Sequence, residues 1–175
     1  MSLDHVVWIG GGCGAGKSTL ARRLAYRLDL RLYPVDAYAY AHEARATAGE
    51  HPFMVSQRAL DYETRHVLPT AEEKVAAFVT YAAERFRMVL DDLRALAGGP
   101  LVLAEGPFML PELVAPVLAS PGHGLWLLPT PAFTARNLAA RETPRDDRAH
   151  RTRLAATSGS RRSWRPTRTG SAWRR

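Results

Sequence analysis

Gly11-Gly12-Cys13-Gly14-Ala15-Gly16-Lys17-Ser18, followed by Thr19, is the stretch on which the reading of this chain turns. It satisfies G-x-x-x-x-G-K-[ST], the P-loop or Walker A pattern. Its glycines let main-chain N–H groups converge on phosphate oxygens, because no Cβ stands in the way. A helix starting at Lys17 aims the positive end of its dipole at the same anion. The chain holds 22 Arg and only 2 Lys, yet lysine stands where a slim ammonium is needed. The flanks fit as well. His5-Val6-Val7-Trp8-Ile9-Gly10 reads as a short buried strand. From Lys17 to about Leu28 a helix is expected, with Leu20, Leu24 and Leu28 on one face and Arg22, Arg23 and Arg27 on the other.

Working outward, Arg31-Leu32-Tyr33-Pro34-Val35 reads as a second strand that Pro34 confines to a sheet edge, ending at Asp36. Residues 37–66 are helix-leaning pieces interrupted by Gly49 and Pro52. A long helix is predicted over residues 71–97, opened by a Thr70/Glu73 capping box and closed by Gly98-Gly99-Pro100. Its apolar series is Val75, Phe78, Val79, Ala82, Phe86, Val89, Leu90, Leu93 and Leu96. Leu101-Val102-Leu103-Ala104-Glu105 is a third strand with a turn at Gly106-Pro107. Residues 110–118 read as helix after Pro111 with a bend near Pro116. Gly124-Leu125-Trp126-Leu127-Leu128 is a fourth strand, and a last helix runs from Pro131 to about Arg141. Strands separated by helices imply an α/β domain with a parallel sheet.

Residues 1–143 carry 14 Lys and Arg against 15 Asp and Glu, while residues 144–175 carry 10 Arg against 2 Asp. The formal charge of +7 therefore belongs to the end of the chain, and the body is neutral. The sequence divides into a domain over residues 1–143 and an Arg-rich tail over residues 144–175, whose composition supplies no core strand and reads as disordered or foreign to the fold. No apolar run approaches the ~18 residues that span a bilayer. The N-terminus lacks the charge and apolar length of a signal peptide, so a cytoplasmic location is expected and no membrane partner. One cysteine, Cys13, excludes an internal disulfide and leaves no zinc-site spacing; it reads as a small filler of the loop. No N-K-x-D guanine motif is present.

On the P-loop, the positions of Asp36 and Glu105, and an arginine-bearing helix after the fourth strand, residues 1–143 resemble P-loop NTPases of the small-molecule and nucleoside kinase branch. The resemblance is to bacterial kinase-like proteins often labelled only AAA family ATPases. It implies a three-layer α/β fold, a parallel sheet of four to five strands flanked by helices, and a helical insertion between the second and third strands. It also implies an ATP- and Mg²⁺-dependent phosphotransferase acting on a small hydroxylated acceptor. Residues 11–19, namely Gly11, Gly12, Cys13, Gly14, Ala15, Gly16, Lys17, Ser18 and Thr19, would hold the nucleoside triphosphate. Lys17 would reach the β- and γ-phosphates and Ser18 would ligate Mg²⁺. Glu105 stands at the Walker B position, where aspartate is usual, as a support for the metal. Arg136 and Arg141 resemble arginines that stack on adenine or clamp phosphates. Asp36 has two readings: an acceptor anchor or general base, and an N-cap for residues 37–40.

In such kinases the acceptor-binding insertion corresponds to residues 37–97, which hold Tyr38, Tyr40, His42, Arg45, Arg58, Arg65, Arg85 and Arg87. Some of these are candidates for a pocket that takes a phosphorylated or carboxylated acceptor, and His42 is a candidate partner for Asp36. The resemblance also calls for a lid, here residues 141–153, and a fifth strand that the tail does not provide. Two further functions therefore stand beside the kinase. One is an ATP-binding module without turnover, and the other is binding of nucleic acid or an acidic partner through residues 144–175. The tail itself reads either as a natural basic extension or as the product of a shifted reading frame.

Overall fold

In the computed structural model, which describes residues 3–139, side chains of β1 (Val6–Gly11) alternate between two apolar cores. Val6 and Trp8 enter one core, beside Tyr33, Phe86, Val89 and Leu93. Ile9 enters the other, beside Ala21 and Leu103, with Val7 packed against it. A strand apolar on both sides needs a cover on both sides, and the chain supplies it. The helix α1 (Lys17–Leu28) packs on one face; the long α4 (Ala71–Ala95) and the short α5 (Pro111–Val114) pack on the other.

The sheet has four strands in the order β2-β3-β1-β4, every pair parallel, with β2 at Arg31–Pro34, β3 at Val102–Glu105 and β4 at Gly124–Leu127. Pro34 sits on an edge strand, as its missing N–H requires. The register aligns Pro34, Glu105 and Ile9 across β2, β3 and β1. The segments that follow these residues therefore leave the sheet side by side at one edge, and this alignment builds the site described below. The domain is α/β with a parallel sheet flanked by helices, and no described helix is long and apolar enough to cross a membrane.

Between β2 and β3 lie a 3₁₀ turn (Val35–Tyr38), α2 (Ala39–Arg45), α3 (Pro52–Arg58), a π-helical turn (Glu63–Val67) and α4 (Ala71–Ala95). Pro52, expected to break structure, is instead the first residue of α3, where its missing N–H costs nothing. No local side chain caps α3; the Glu84 carboxylate on α4 does so, accepting from the N–H groups of Phe53 and Met54 at 2.9 and 2.8 Å. The α4 capping box is present in full. Thr70 Oγ1 accepts from Glu73 N at 3.2 Å, and the Glu73 carboxylate accepts from Thr70 N at 2.8 Å. Thr70→Ala should cost about 1 kcal/mol, read as a lowered melting temperature.

Several expectations need correction. Leu28 is 61% exposed, because α1 ends there and Asp29 turns the chain away in a left-handed conformation (φ 51°). The inward face of α1 instead carries Ala21, flanked by Leu20, Leu24 and Ala25. On α4, Val79 is exposed and Arg85 is buried, and the helix stops at Ala95. Leu101 precedes the third strand and is exposed. After β4, α6 (Pro131–Ala139) completes the described residues; Arg141, the lid segment and residues 144–175 lie outside them.

Candidate functional site

The turn between β1 and α1 is tied to the neighbouring strand β4 by Gly12 N, which donates to Leu127 O at 3.1 Å. Gly11 takes φ 122° with its α-carbon against the Leu127 backbone, so a side chain there would be both strained and blocked. Gly16 precedes α1 with φ 89° and makes no side-chain cap, and the first turn of α1 contains no acidic residue. The first amides of α1 are thus not claimed by a capping side chain, and the positive helix end points into the turn.

Lys17 is buried, and its ammonium donates to the Gly12 carbonyl at 2.8 Å across the turn. Ser18 Oγ donates to Glu105 Oε2 at 3.2 Å, joining α1 to the end of β3. Glu105 is only 5% exposed. Burial raises its pKa above the ordinary carboxylate value, and the charge of Asp36 adds to the rise, against the hydrogen bond from Ser18 and the charge of Lys17. Asp36 itself is exposed in the 3₁₀ turn after β2. It caps neither that turn nor α2, since neither start carries a side-chain cap, so the capping reading falls away. Lys17, Ser18, Glu105 and Asp36 therefore meet at one sheet edge, as the strand register dictates. Cys13 is exposed rather than a filler.

Beside the turn lies a cavity of about 490 Å³ between α1 and α6. Its walls are Thr19, Leu20 and Arg23 from α1, Leu127 from β4, and Phe133 and Asn137 from α6, with Ala15 and Gly16 at the turn. Arg136 is exposed, its guanidinium 5.4 Å from the Phe133 ring centroid. The lining residue is its neighbour Asn137, whose Nδ2 donates to Gly14 O at 2.8 Å. Phe133 and Asn137 are one helical turn apart on the same face. That spacing was the signal available in the sequence; the arginine drew attention to the adjacent face.

Of the insertion residues, Arg85 reaches the backbone beside Asp36 through the Val35 carbonyl, and most of the others are engaged elsewhere. Arg45 pairs with Asp92 at 2.8 Å, Arg58 donates to Glu43 O at 3.0 Å, and Tyr40 is 86% exposed. Arg87 is exposed, Arg65 is half-buried, and Tyr38 stacks on Tyr33 at 4.4 Å between centroids. His42 is not the partner of Asp36: it is fully buried and bonded to Asp92 and Arg85. No group of three or more His, Cys, Asp or Glu among the described residues is arranged to hold a metal ion alone.

No protein-family model matches the chain, and no curated protein matches it. Among solved structures, the crystal structure of TT1252 from Thermus thermophilus is similar with a TM-score of 0.50 and 22% identity, over 96% of this chain and 91% of that one. At that identity the likeness concerns the fold alone.

Proposed function

We propose that the chain is a P-loop NTPase of the small-kinase type, a phosphotransferase that uses ATP and Mg²⁺ to phosphorylate a small hydroxylated acceptor. One observation carries the reading. The uncapped start of α1 follows a turn with glycines at positive φ, and Lys17, Ser18 and Glu105 are gathered around it. The backbone amides of residues 11–19 would hold the phosphates. Lys17, which spans the turn, would exchange the Gly12 carbonyl for phosphate oxygens. The hydroxyl of Ser18 and the carboxylate of Glu105 are hard oxygen donors that suit Mg²⁺. Such an ion is usually bound by one or two carboxylates together with substrate phosphates. When bound, the ion would neutralise charge on the phosphate oxygens.

Asp36, exposed and next to Glu105, would anchor the acceptor hydroxyl or take its proton. The cavity beside the turn would receive the nucleoside, with Phe133 offering an aromatic face. Positioning and charge stabilisation then account for catalysis, as phosphoryl transfer asks little more of a protein.

The experiment is titration calorimetry of Mg-ATP into the full chain, together with transfer of label from ATP across a panel of small alcohols, sugars and hydroxy acids. Binding and label transfer to one acceptor class are expected. No heat of Mg-ATP binding defeats the proposal. A second reading, an ATP-binding module without turnover, is favoured by the composition of residues 144–175, which is Arg-rich and poor in large apolar residues. Binding with no label transfer and no phosphate release selects that reading.

A further inference from the structure

One buried cluster is not used in this scheme. The two ring nitrogens of His42 on α2 have different partners: Nε2 lies 2.9 Å from Asp92 Oδ2, and Nδ1 lies 2.9 Å from Arg85 Nε. An arginine Nε only donates, so Nδ1 accepts, and the imidazole is neutral with its proton on Nε2. Asp92 is held in turn by Tyr33 Oη at 2.6 Å and by Arg45 at 2.8 Å. Arg85 is 2% exposed and lies 4.7 Å from the Phe108 ring centroid. Its Nη2 donates to the Val35 carbonyl at 2.5 Å.

Both of these Arg85 hydrogen bonds end on uncharged acceptors, an expensive way to bury a guanidinium. Asp36 and Glu43 attract its charge. Val35 opens the turn that carries Asp36, and Phe108 lies three residues beyond Glu105. Arg85 therefore stands between the outgoing ends of β2 and β3 and grips the backbone immediately before Asp36.

We propose that Arg85 is a positioning residue for Asp36, holding the Val35–Tyr38 turn through the Val35 carbonyl, with neutral His42 as the acceptor that fixes the guanidinium plane. The inference rests on the phosphotransferase reading, in which Asp36 meets the acceptor. His42 makes the latch sensitive to acid. A second ring proton would set an N–H against the Arg85 Nε–H, donor against donor. The groups facing His42 are Arg85 and Asp92 from α4, Tyr33 from β2, Tyr38 from the turn and Arg45 from its own helix. Burial is the largest influence and holds its pKa below 6.5; Arg85 and Arg45 act in the same direction and Asp92 against it. The latch is closed at neutral pH and opens in acid.

The test uses the full chain as wild type, Arg85→Met, Arg85→Lys and His42→Gln. In two-dimensional ¹⁵N NMR, Arg85→Met should shift the backbone amides of Val35, Asp36 and Tyr38 and leave those of residues 12–19 in place. In transfer of label from ATP to the acceptor it should lose on the order of 10–10²-fold in turnover. Its Kd for Mg-ATP should stay within about twofold. Arg85→Lys should recover little, because an ammonium lacks the fork that serves two acceptors in one plane. His42→Gln keeps one acceptor and one donor but cannot titrate, so the acid limb of turnover should move to lower pH.

Unmoved turn amides, or equal losses in turnover and Mg-ATP affinity, overturn the proposal. An unchanged acid limb in His42→Gln overturns the part given to His42. If the wild type does not bind Mg-ATP, the phosphotransferase reading fails separately. The turn amides and the ¹⁵N shifts of the His42 ring then still decide whether Arg85 holds the turn. If Arg85→Met does not fold, Arg85→Lys carries the same amide comparison.

Discussion

Lys17→Ala should reduce ATP turnover by about 10²–10³-fold, the scale on which loss of one group that stabilises transition-state charge is felt, while the protein remains folded. The ammonium is buried across the turn against the Gly12 carbonyl. Losing it leaves that carbonyl with the Ala15 N–H at 3.3 Å as its donor, a loss of about 1 kcal/mol. A domain stable by about 5–15 kcal/mol tolerates that. The loss in turnover is larger because no other lysine is near in sequence; the second one is Lys74, whose ammonium donates to His66 O. Lys17→Arg sharpens the test. It keeps the charge but brings a planar fork into a turn fitted to a slender chain, and it should restore little activity. Phosphate release and thermal melting on the three proteins check both halves. Turnover equal to wild type in Lys17→Ala would remove the P-loop from the mechanism.

The two halves of the fold were unequally legible. Residues 5–28 could be read because strand, glycine turn and helix are each written locally: a β-branched and aromatic run in Val6-Val7-Trp8-Ile9, a backbone requirement at Gly11 and Gly16, and a helical period after Lys17. The α4 capping box is equally local, since Thr70 and Glu73 stand three apart. Pro34 announced an edge strand through a missing N–H, and the sheet obeyed. What failed to show was tertiary. Arg85 stands at a core spacing, three residues from Ala82 and four from Val89, but its charge marked it for the surface. Only the distant His42 and Val35 make its burial tolerable. His42 and Asp92 are separated by 50 residues and by two intervening helical segments, so no periodicity pairs them. Asn137 was missed by one position because a helix turns 100° per residue, and Leu28 was overread because the helix ends at that residue and Asp29 turns the chain away.

Glu105→Gln should raise stability and abolish catalysis at once, and the opposite signs are what give the variant its value. Burial raises the Glu105 pKa above its ordinary 4.5. The unfolded chain therefore gives up this proton more readily than the fold does. With respect to this group, stability is greatest below the unfolded value, falls as pH rises through the interval up to the folded value, and stays low above it. Glutamine has no proton to lose, and its amide oxygen can still accept from Ser18 Oγ. Melted in chelator without nucleotide, Glu105→Gln should exceed the wild type at pH 8 and lose that advantage at pH 4. Under turnover conditions the same change removes the anionic oxygen offered to Mg²⁺, and phosphate release should fall by about 10²-fold or more. A carboxylate kept only to hold Ser18 would behave otherwise. Its replacement by glutamine would leave turnover nearly intact, and the register that brings Glu105 level with Pro34 and Ile9 would then serve packing rather than chemistry.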